Sequence, residues 1–579
     1  MNALLASGAL TTIDWAVVGG YLLLTTLLCV VLSDKQQTFR DFFLGGRTLP
    51  WYAVAGSIIS TEISAVTFVG VPAISYAIKG NFTYLQLGIG TILARIIVGF
   101  WFVPRYYERE IYSPYDYMEQ RLGPRVKKLV TVLFLIGQLL GQGVRVGLTA
   151  VVLQVATGNR LNLHESIWLI GVISIAWTLI GGISSVVWTD VMLFLMFTAG
   201  AVVALVYIVG GVEGGFPQVL EIARQATDAT GKPVDKFQFF DFSLDPTLQF
   251  TFWVGITLSV WGSLYSYGTD QMMAQRLFCC RGVTPARWAI ISSGVSQLVP
   301  ATCLVIGIAL YAYFKQHPLA GADAAFLKED GDRIFPYFIV NKLPNGVRGM
   351  IIAAIFAAAI PASSLAAMTQ TFMSAFWQPW RRRRAGLGPG DPDSPDAERR
   401  DMFLSRILIV VSGAALSGMA YVGFAAKRDI PEVLNLALSM VGYTGGGLLA
   451  AFALAFLRIK VDDRGIIWSV PLSMLAVFGL AWKPWWSTLV ALVGAGILLA
   501  AWFAKGDRRL GKTILFAVGL WVALVIHFYV GVPRHGFVYL KPFAWPYWIP
   551  IGSLVAFVWG YLLADRRVQK PRAPDGVSV

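Results

Sequence analysis

Long apolar stretches recur along almost the whole chain and are separated by short polar segments. A helix rises 1.5 Å per residue, so about 20 apolar residues cross a hydrocarbon layer of about 30 Å. The pattern predicts an all-α polytopic membrane protein with fifteen spanning helices. They lie near residues 13–33, 51–77, 82–104, 128–157, 164–181, 186–211, 247–270, 284–314, 346–376, 403–424, 429–457, 464–482, 485–504, 512–531 and 546–564.

Composition agrees with this pattern, because 56% of the residues are hydrophobic and only 14% are charged. A water-soluble domain could not bury so many apolar side chains. The stretch at 13–33 lacks a basic leader and a small-residue cleavage site, so we expect a retained helix and not a signal peptide.

The net charge of +14 is explained by topology and not by a nucleic-acid partner. If the N-terminus faces outward, the inward loops collect most of the basic residues, including Arg276 and the run Arg381–Arg384. The positive-inside rule then predicts a multi-pass protein of the bacterial inner membrane with its N-terminus outside and its C-terminus in the cytoplasm.

No catalytic pattern stands out, so the sequence does not predict an enzyme. The four histidines lack metal-ligand spacing, and there is no phosphate-binding loop and no Ser/His/Asp arrangement. Residues 379–402, rich in Pro, Gly, Asp and Arg, predict a cytoplasmic linker. No obligatory protein partner is evident, and we expect the partners to be the lipid bilayer and a small-molecule substrate.

The span at 51–77 carries an unusual set of polar and small residues. Ser57, Ser60, Thr61, Glu62, Ser64, Thr67, Gly70 and Pro72 interrupt its apolar surroundings. We expect the helix to be unwound here, which would free backbone carbonyls for a small cation. The alternative is that the hydroxyls bond back to their own helix and the small residues serve packing.

A second small-residue patch, with Pro361 and the adjacent hydroxyls of Ser363 and Ser364, lies in the span at 346–376. Adjacent side chains point about 100° apart on a helix, so both reach one ion only at the helix surface. This geometry suits a sodium site shared with a broken helix. Other polar residues in spans are Gln86, Arg95, Gln138, Gln142, Arg145, Asp190 and Ser263. Arg95 could extend its stem to the nearby surface.

With these residues assembled, the chain resembles the solute:sodium symporter family over roughly residues 10–460. The resemblance rests on four short segments in the family's order. They are Ile63-Ser64-Ala65 with Gly70 and Tyr76, then Gly181-Gly182 with Trp188-Thr189-Asp190, then Asp270-Gln271 with Gln275-Arg276, and finally Ser363-Ser364-Leu365.

The resemblance implies a leucine-transporter-type 5+5 inverted repeat with one extra N-terminal helix and about four extra C-terminal helices. Residues 1–50 would hold the first helix and a cytoplasmic loop, and 51–211 the first repeat. An extracellular loop at 212–246, the second repeat at 247–457 with its linker, and additional helices at 458–579 would follow.

The resemblance also implies a main sodium site. Its ligands would be the carbonyls of Ser60 and Ile63, the hydroxyls of Ser363 and Ser364, and a carbonyl at or near Ala359. The interval before Ser363 is two residues longer than the family pattern, so the helix must bulge or kink.

Some family members have a second sodium site built on the residue matched by Asp190, with hydroxyls at positions that are Ala366 and Ala367 here. We therefore expect one sodium, and a gating or structural role for Asp190. Sodium is the only metal ion that the sequence implies.

Substrate-binding positions implied by the resemblance are Ser64, Thr67, Gln86, Arg145 and Ser263. Arg145, followed by Val146 and Gly147, matches an arginine that pairs with a carboxylate in sialate-type members, and its planar fork suits that group. Alternatively, Arg145 pairs with Glu62 or caps backbone carbonyls. Glu62, where relatives usually carry a neutral polar residue, is a candidate for gating or coupling.

The leading hypothesis is a sodium-coupled symporter of a small organic solute, a sugar acid such as sialate or another carboxylated solute, working by alternating access. Alternatives are a neutral sugar or monocarboxylate as the substrate, proton coupling through Glu62, and a non-transporting sensor of the same fold. The few residues after 564 disfavour the sensor, since they cannot form a signalling domain. A channel is disfavoured because no filter repeat or charged ring appears.

Overall fold

In the computed structural model, the regular structure is helical throughout the part of the chain that is described, apart from two isolated bridges. The described residues are 10–33, 39–108, 111, 113–157, 160–228, 230–319, 331–358, 361–388, 393–426, 433–456, 463–481 and 544–563, with single residues 321, 324, 327, 496, 499 and 517.

The α-helices are numbered in chain order. They are α1 Thr12–Ser33, α2 Phe39–Leu44, α3 Trp51–Glu62, α4 Ala65–Tyr76, α5 Gln86–Ile97, α6 Val103–Tyr107, α7 Pro114–Leu122, α8 Pro124–Ala156, α9 Leu163–Gly210, α10 Gly215–Arg224, α11 Ser259–Leu264, α12 Gln271–Phe278, α13 Val283–Ser292, α14 Leu298–Gln316, α15 Ile334–Lys342, α16 Val347–Ala358, α17 Ala362–Phe372, α18 Gln378–Arg384, α19 Pro395–Ala426, α20 Val433–Phe456, α21 Asp463–Ala481 and α22 Trp548–Leu563.

Among the described residues, ten helical segments are long and apolar enough to cross a membrane, or eleven if the bent pair α3 and α4 is one span. Thirteen of the fifteen predicted spans coincide with helical segments. The other two, 485–504 and 512–531, lie outside the described residues except for three single positions. The predicted span at 247–270 is built from α11 between the π-helical turns Val254–Leu258 and Tyr265–Thr269.

The two spans expected at 164–181 and 186–211 are confirmed as Leu163–Ile180 and Gly182–Gly210. They follow each other directly within α9, which is kinked at Gly182. The φ of +54° at Gly182 is a backbone conformation that other residues avoid, so glycine supports the kink without a loop. Helix α9 begins with a capping box between Asn162 and Glu165.

The chain forms two compact units. One comprises 1–113, 135–244 and 250–441 and holds every candidate site residue that the structure describes. The other comprises 114–134, 245–249 and 442–579. In this second unit, Gly446 and Gly552 let the backbones of α20 and α22 touch. The predicted limits of the repeats stay a prediction.

Within the first unit, α1 is fastened to the start of α16 by a buried ion pair. The Asp14 carboxylate, whose side chain is fully buried, accepts from Arg348 Nε at 2.6 Å. It also accepts from the N–H groups of Gly346 at 2.7 Å and Gly349 at 3.2 Å. A negative charge therefore lies at a helix N-terminus, where the helix dipole favours it.

Candidate functional site

The predicted unwinding in the span at 51–77 is confirmed. Helix α3 ends at Glu62 and α4 begins at Ala65, and the axes of the two halves differ by 58°. Ile63 and Ser64 between them have extended backbone conformations. The chain therefore runs as a broken helix, with the break in the middle of an otherwise apolar span.

The break leaves acceptors without backbone donors. Ile63 N–H donates to Ile59 O, and Phe68 N–H donates to Ser64 O. Among the described residues, no backbone N–H donates to the carbonyls of Ser60 or Ile63 across the break. The hydroxyl of Ser60 is also buried without a hydrogen-bond partner there. These are hard oxygen atoms of the kind that a small cation takes as ligands, so this side fits the predicted sodium.

The second half of the predicted sodium site lies on another interrupted helix. Helix α16 ends at Ala358, α17 begins at Ala362, and Pro361 between them has non-helical angles (φ −83°, ψ 40°). The interruption agrees with the predicted kink before Ser363. Ala359, the fifth predicted ligand, lies outside the described residues.

Both serines of the pair already have partners. Ser363 Oγ accepts from Arg276 Nη2 at 2.5 Å, and Ser364 Oγ donates to Met272 Sδ at 3.1 Å. Sodium could bind the Ser363 hydroxyl only if the guanidinium of Arg276 moved away. The structure thus brings a protein cation to one of the predicted sodium ligands.

Arg276 is the centre of a buried cluster, although the charge pattern predicts it in an inward loop. That placement is wrong, since its side chain is 1% exposed. Nη2 pairs with Asp190 Oδ2 at 2.9 Å and Nε donates to Ser57 Oγ at 2.7 Å. Ser57 in turn donates to Asp190 at 2.6 Å. The expected structural role of Asp190 is supported by these contacts, which join α3, α9, α12 and α17.

The sequence carries no signal for this pairing, because the burial of all eight residues of α12 is visible only in the structure. A buried charge there needs a counter-ion, and Asp190 on α9 supplies it.

Glu62 is held in a second buried cluster. Its carboxylate pairs with Arg95 and accepts from Ser296 Oγ at 2.7 Å and Gln297 Nε2 at 3.1 Å. Arg95 also donates to Tyr267 OH at 2.8 Å and lies over that ring. Two expectations were wrong: Arg95 does not reach the surface, since it is fully buried, and Glu62 does not pair with Arg145.

Arg145 lies beside the break without an ion pair. Its Nη1 donates to the carbonyl of Thr61 at 3.3 Å, the one hydrogen bond found for its guanidinium in the described residues. Asp270 and Glu62 attract its charge from a distance, but they are committed to Gln138 and Arg95. The structure therefore shows the alternative in which Arg145 caps a backbone carbonyl. Most of its guanidinium N–H donors have no hydrogen-bond acceptor among the described residues.

The remaining predicted substrate positions are Ser64, Thr67, Ser263 and Gln86. Ser64 and Thr67 lie at the break and in the first turn of α4, the former buried and the latter half-buried. Ser263 Oγ is 3.2 Å from Thr91 Oγ1. Gln86 is fully buried, and its amide bonds the carbonyls of Thr83 and Phe250 and the N–H of Asp241. In this conformation Gln86 binds protein backbone.

The sequence is similar to a known family and to individual proteins within it. The sequence model described as "Sodium:solute symporter family" matches residues 42–472. The sodium/sialic acid symporter SiaT of Proteus mirabilis is 28% identical over 80% of this chain and 88% of its own. NanT of Aliivibrio fischeri, also a sodium/sialic acid symporter, is 26% identical over 80% and 87%. The sodium-coupled monocarboxylate transporter 2 of Bos taurus is 27% identical over 78% and 69%.

A solved structure shares the fold. The structure described as a substrate-bound outward-open state of a Na⁺-coupled sialic acid symporter aligns with a TM-score of 0.72. The alignment covers 95% of this chain and 97% of that one, at 23% identity. The predicted leucine-transporter-type fold is confirmed by this likeness.

Proposed function

The chain belongs to the sodium:solute symporter family, and from that premise we propose that it carries a small organic carboxylate, preferably a sugar acid such as sialate, together with sodium. The family match confirms the predictions that the protein is a membrane transporter and not an enzyme, and that sodium is its coupling ion. The identity of the substrate and the residues that bind it are the proposal.

The observation that carries the proposal is the state of Arg145. A guanidinium has five N–H donors, and within the described part of the chain this one makes a single hydrogen bond, to Thr61 O. A charge inside a span costs about 2.5–3.5 kcal/mol unless it is compensated. A substrate carboxylate would supply two acceptors to the fork. Relatives named for sialic acid and for monocarboxylates have a carboxylate in common, so both groups of names agree with this role.

Sodium would enter beside the same break. The free carbonyls of Ser60 and Ile63 would form one side of its shell, and Ser363 and Ser364 the other. Since Arg276 holds Ser363 in the present conformation, we propose that sodium binds when this guanidinium releases Ser363 and keeps its pair with Asp190. With both cargoes bound, the helices that meet at the break would rock to release them on the other side.

The alternatives are less well supported. A neutral sugar would leave the Arg145 fork unpaired. Proton coupling through Glu62 is disfavoured because its carboxylate is enclosed by Arg95, Ser296 and Gln297 as donors.

For location, we propose the bacterial inner membrane with the N-terminus outside, on the basis of the basic loops and the bacterial relatives. The family match and the apolar helices make it a multi-pass membrane protein.

Thermal unfolding of the purified full-length protein tests the proposal. A ligand that binds only the folded state at 100 times its Kd stabilises by about 2.7 kcal/mol. We expect sialic acid or another sugar acid to raise the Tm only with sodium present, and the matching neutral sugars to have no effect. Arg145→Lys should weaken this binding by about 1.5–3 kcal/mol, because the charge stays but the fork is lost. Equal responses to acidic and neutral sugars would overturn the proposal.

A further inference from the structure

A lysine lies fully buried in the long loop between α10 and α11. Lys236 is 0% exposed, although Asp235 beside it is exposed. Its Nζ donates to the carbonyls of Ala77 at 2.7 Å and Ser75 at 2.9 Å. The carbonyls of Tyr76 and Gly80 lie 3.5 Å away. The ammonium therefore fills a ring of oxygen atoms at the end of α4, the second half of the broken helix.

Glycine makes this ring possible. The chain turns back at Gly80, whose N–H donates to Ala77 O at 2.7 Å. A Cβ at this position would lie 1.9 Å from the carbonyl oxygen of Ile74. No residue with a side chain fits there unless the turn opens and the oxygen atoms separate.

No carboxylate neutralises the ammonium in the described residues. The ring of Tyr311 on α14 lies 4.1 Å from Nζ, and the Nζ of Lys315 lies 5.6 Å from the same ring. The other charged or titratable groups near this corner are Tyr76 on α4, Lys79, Asp228 and Asp235. Lys79 is exposed and 3.9 Å from Asp228, while Asp235 accepts from Phe237 N–H. In the described residues, the groups that contact the ammonium are carbonyl oxygens and an aromatic face, and they offset only part of the cost of burying its charge.

The same loop is fastened further along. Phe82 N–H donates to Gln238 O at 3.0 Å, and Asn81 Nδ2 to Gln238 Oε1 at 3.3 Å. Asp241 N–H donates to Gln86 Oε1 at 3.2 Å, and Gln86 Nε2 donates to Phe250 O at 3.0 Å. The loop that Lys236 anchors is therefore the loop that occupies Gln86.

We infer that Lys236 is a proton-sensitive clamp that docks this loop on the end of the broken helix, and that Gln86 can bind a substrate only when the loop is undocked. The second clause rests on the proposed function. The first clause rests on the contacts and the burial of Lys236.

The direction of the pH effect follows from linkage. Burial, followed by repulsion from Lys315, lowers the pKa of Lys236 from 10.5 to about 8 in the docked loop. In an undocked loop the amine would return to water and to its ordinary pKa. Between pH 8 and 10.5 the undocked loop binds more protons, so docking strengthens as the pH rises, roughly 30-fold from pH 7 to 9.5. Below pH 8 both forms are protonated and docking becomes insensitive to pH.

Hydrogen exchange of the full-length protein in lipid nanodiscs measures docking directly. The amides of Phe82 and Asp241 report it, since each donates across the contact. The amide of Ala274, which donates to Asp270 O at 3.0 Å, is the internal control. After correction for intrinsic exchange, we expect protection of the two reporters to rise roughly 30-fold from pH 7 to 9.5, and that of the control to stay constant.

Two variants separate the clamp from other effects. Lys236→Met should abolish the pH dependence, and Lys232→Met, which changes an exposed lysine of the same loop, should keep it. A flat profile in the unaltered protein, or the same rise in Lys236→Met, would overturn the inference. The unaltered protein is decisive even if Lys236→Met fails to fold. This experiment measures docking of the loop and not transport. Its result is therefore independent of whether a carboxylate binds, and failure of the clamp can be told apart from failure of the proposed function.

Discussion

The Glu62 ion pair gives the sharpest test of the polar core. Replacing Glu62 by Gln removes the charge opposite Arg95, whose side chain is 1% exposed. Breaking a buried pair from one side costs about 3–5 kcal/mol, because the other charge is left uncompensated. The Glu62 side chain is 25% exposed, which permits some hydration, so we expect about 3 kcal/mol of lost unfolding free energy.

A double-mutant cycle tests whether this loss of unfolding free energy comes from the pair with Arg95. Arg95→Met alone should destabilise to a similar degree, and Glu62→Gln with Arg95→Met should recover about 2 kcal/mol or more. Arg145→Met replaces the matched arginine on the other side of the break. Its coupling to Glu62→Gln should stay below about 0.5 kcal/mol, the value for groups that do not touch. Unfolding is followed in mixed micelles by intrinsic fluorescence. Equal or larger coupling to Arg145 would refute the pairing described above.

Three further predictions concern sodium, the Arg276 cluster and topology. Replacing both Ser363 and Ser364 by Ala should abolish the sodium dependence of uptake into proteoliposomes. The control Ser374→Ala should keep it, because the Ser374 hydroxyl bonds its own helix. Equal flux with sodium or choline in the unaltered protein would contradict this prediction. Asp190→Asn should lower the unfolding free energy by about 3–5 kcal/mol, because Arg276 loses its counter-ion. The double variant with Arg276→Gln should regain much of this loss. Additive losses of the two substitutions would show that Asp190 and Arg276 do not form a pair. A tag fused after the last residue should resist protease in intact cells, and its cleavage there would show the C-terminus to be outside.

The broken helix was predictable because its cause is local. Ser, Thr, Gly and Pro crowd the segment around Ser64, and each weakens a helix or bonds its own backbone, so the pattern is visible in one stretch of sequence. The kink before Ser363 was predictable from Pro361 and the longer interval for the same reason. The expected sodium chemistry of the break follows directly from the carbonyls that unwinding frees.

The charge pairs were not predictable, because they depend on which helices meet. Glu62 had two arginines in spans to choose from, Arg95 and Arg145, and sequence distance does not decide between them. Gln86 was predicted to bind substrate from the resemblance to the family, but the loop that occupies it follows more than 150 residues later in the chain. Arg276 was misplaced because α12 is too short to show a spanning pattern.

The pairing of Asp14 with Arg348 sets a condition on biosynthesis. The two residues are 334 positions apart, so the first helix is made long before its partner exists. At about 5–20 residues per second, Asp14 waits roughly 15–70 s on the ribosome for its counter-charge. During that time only Thr11, through its N–H at 2.8 Å and its hydroxyl at 2.7 Å, supports the carboxylate. The first helix must therefore keep this end at the water surface and dock late, after α16 has been inserted.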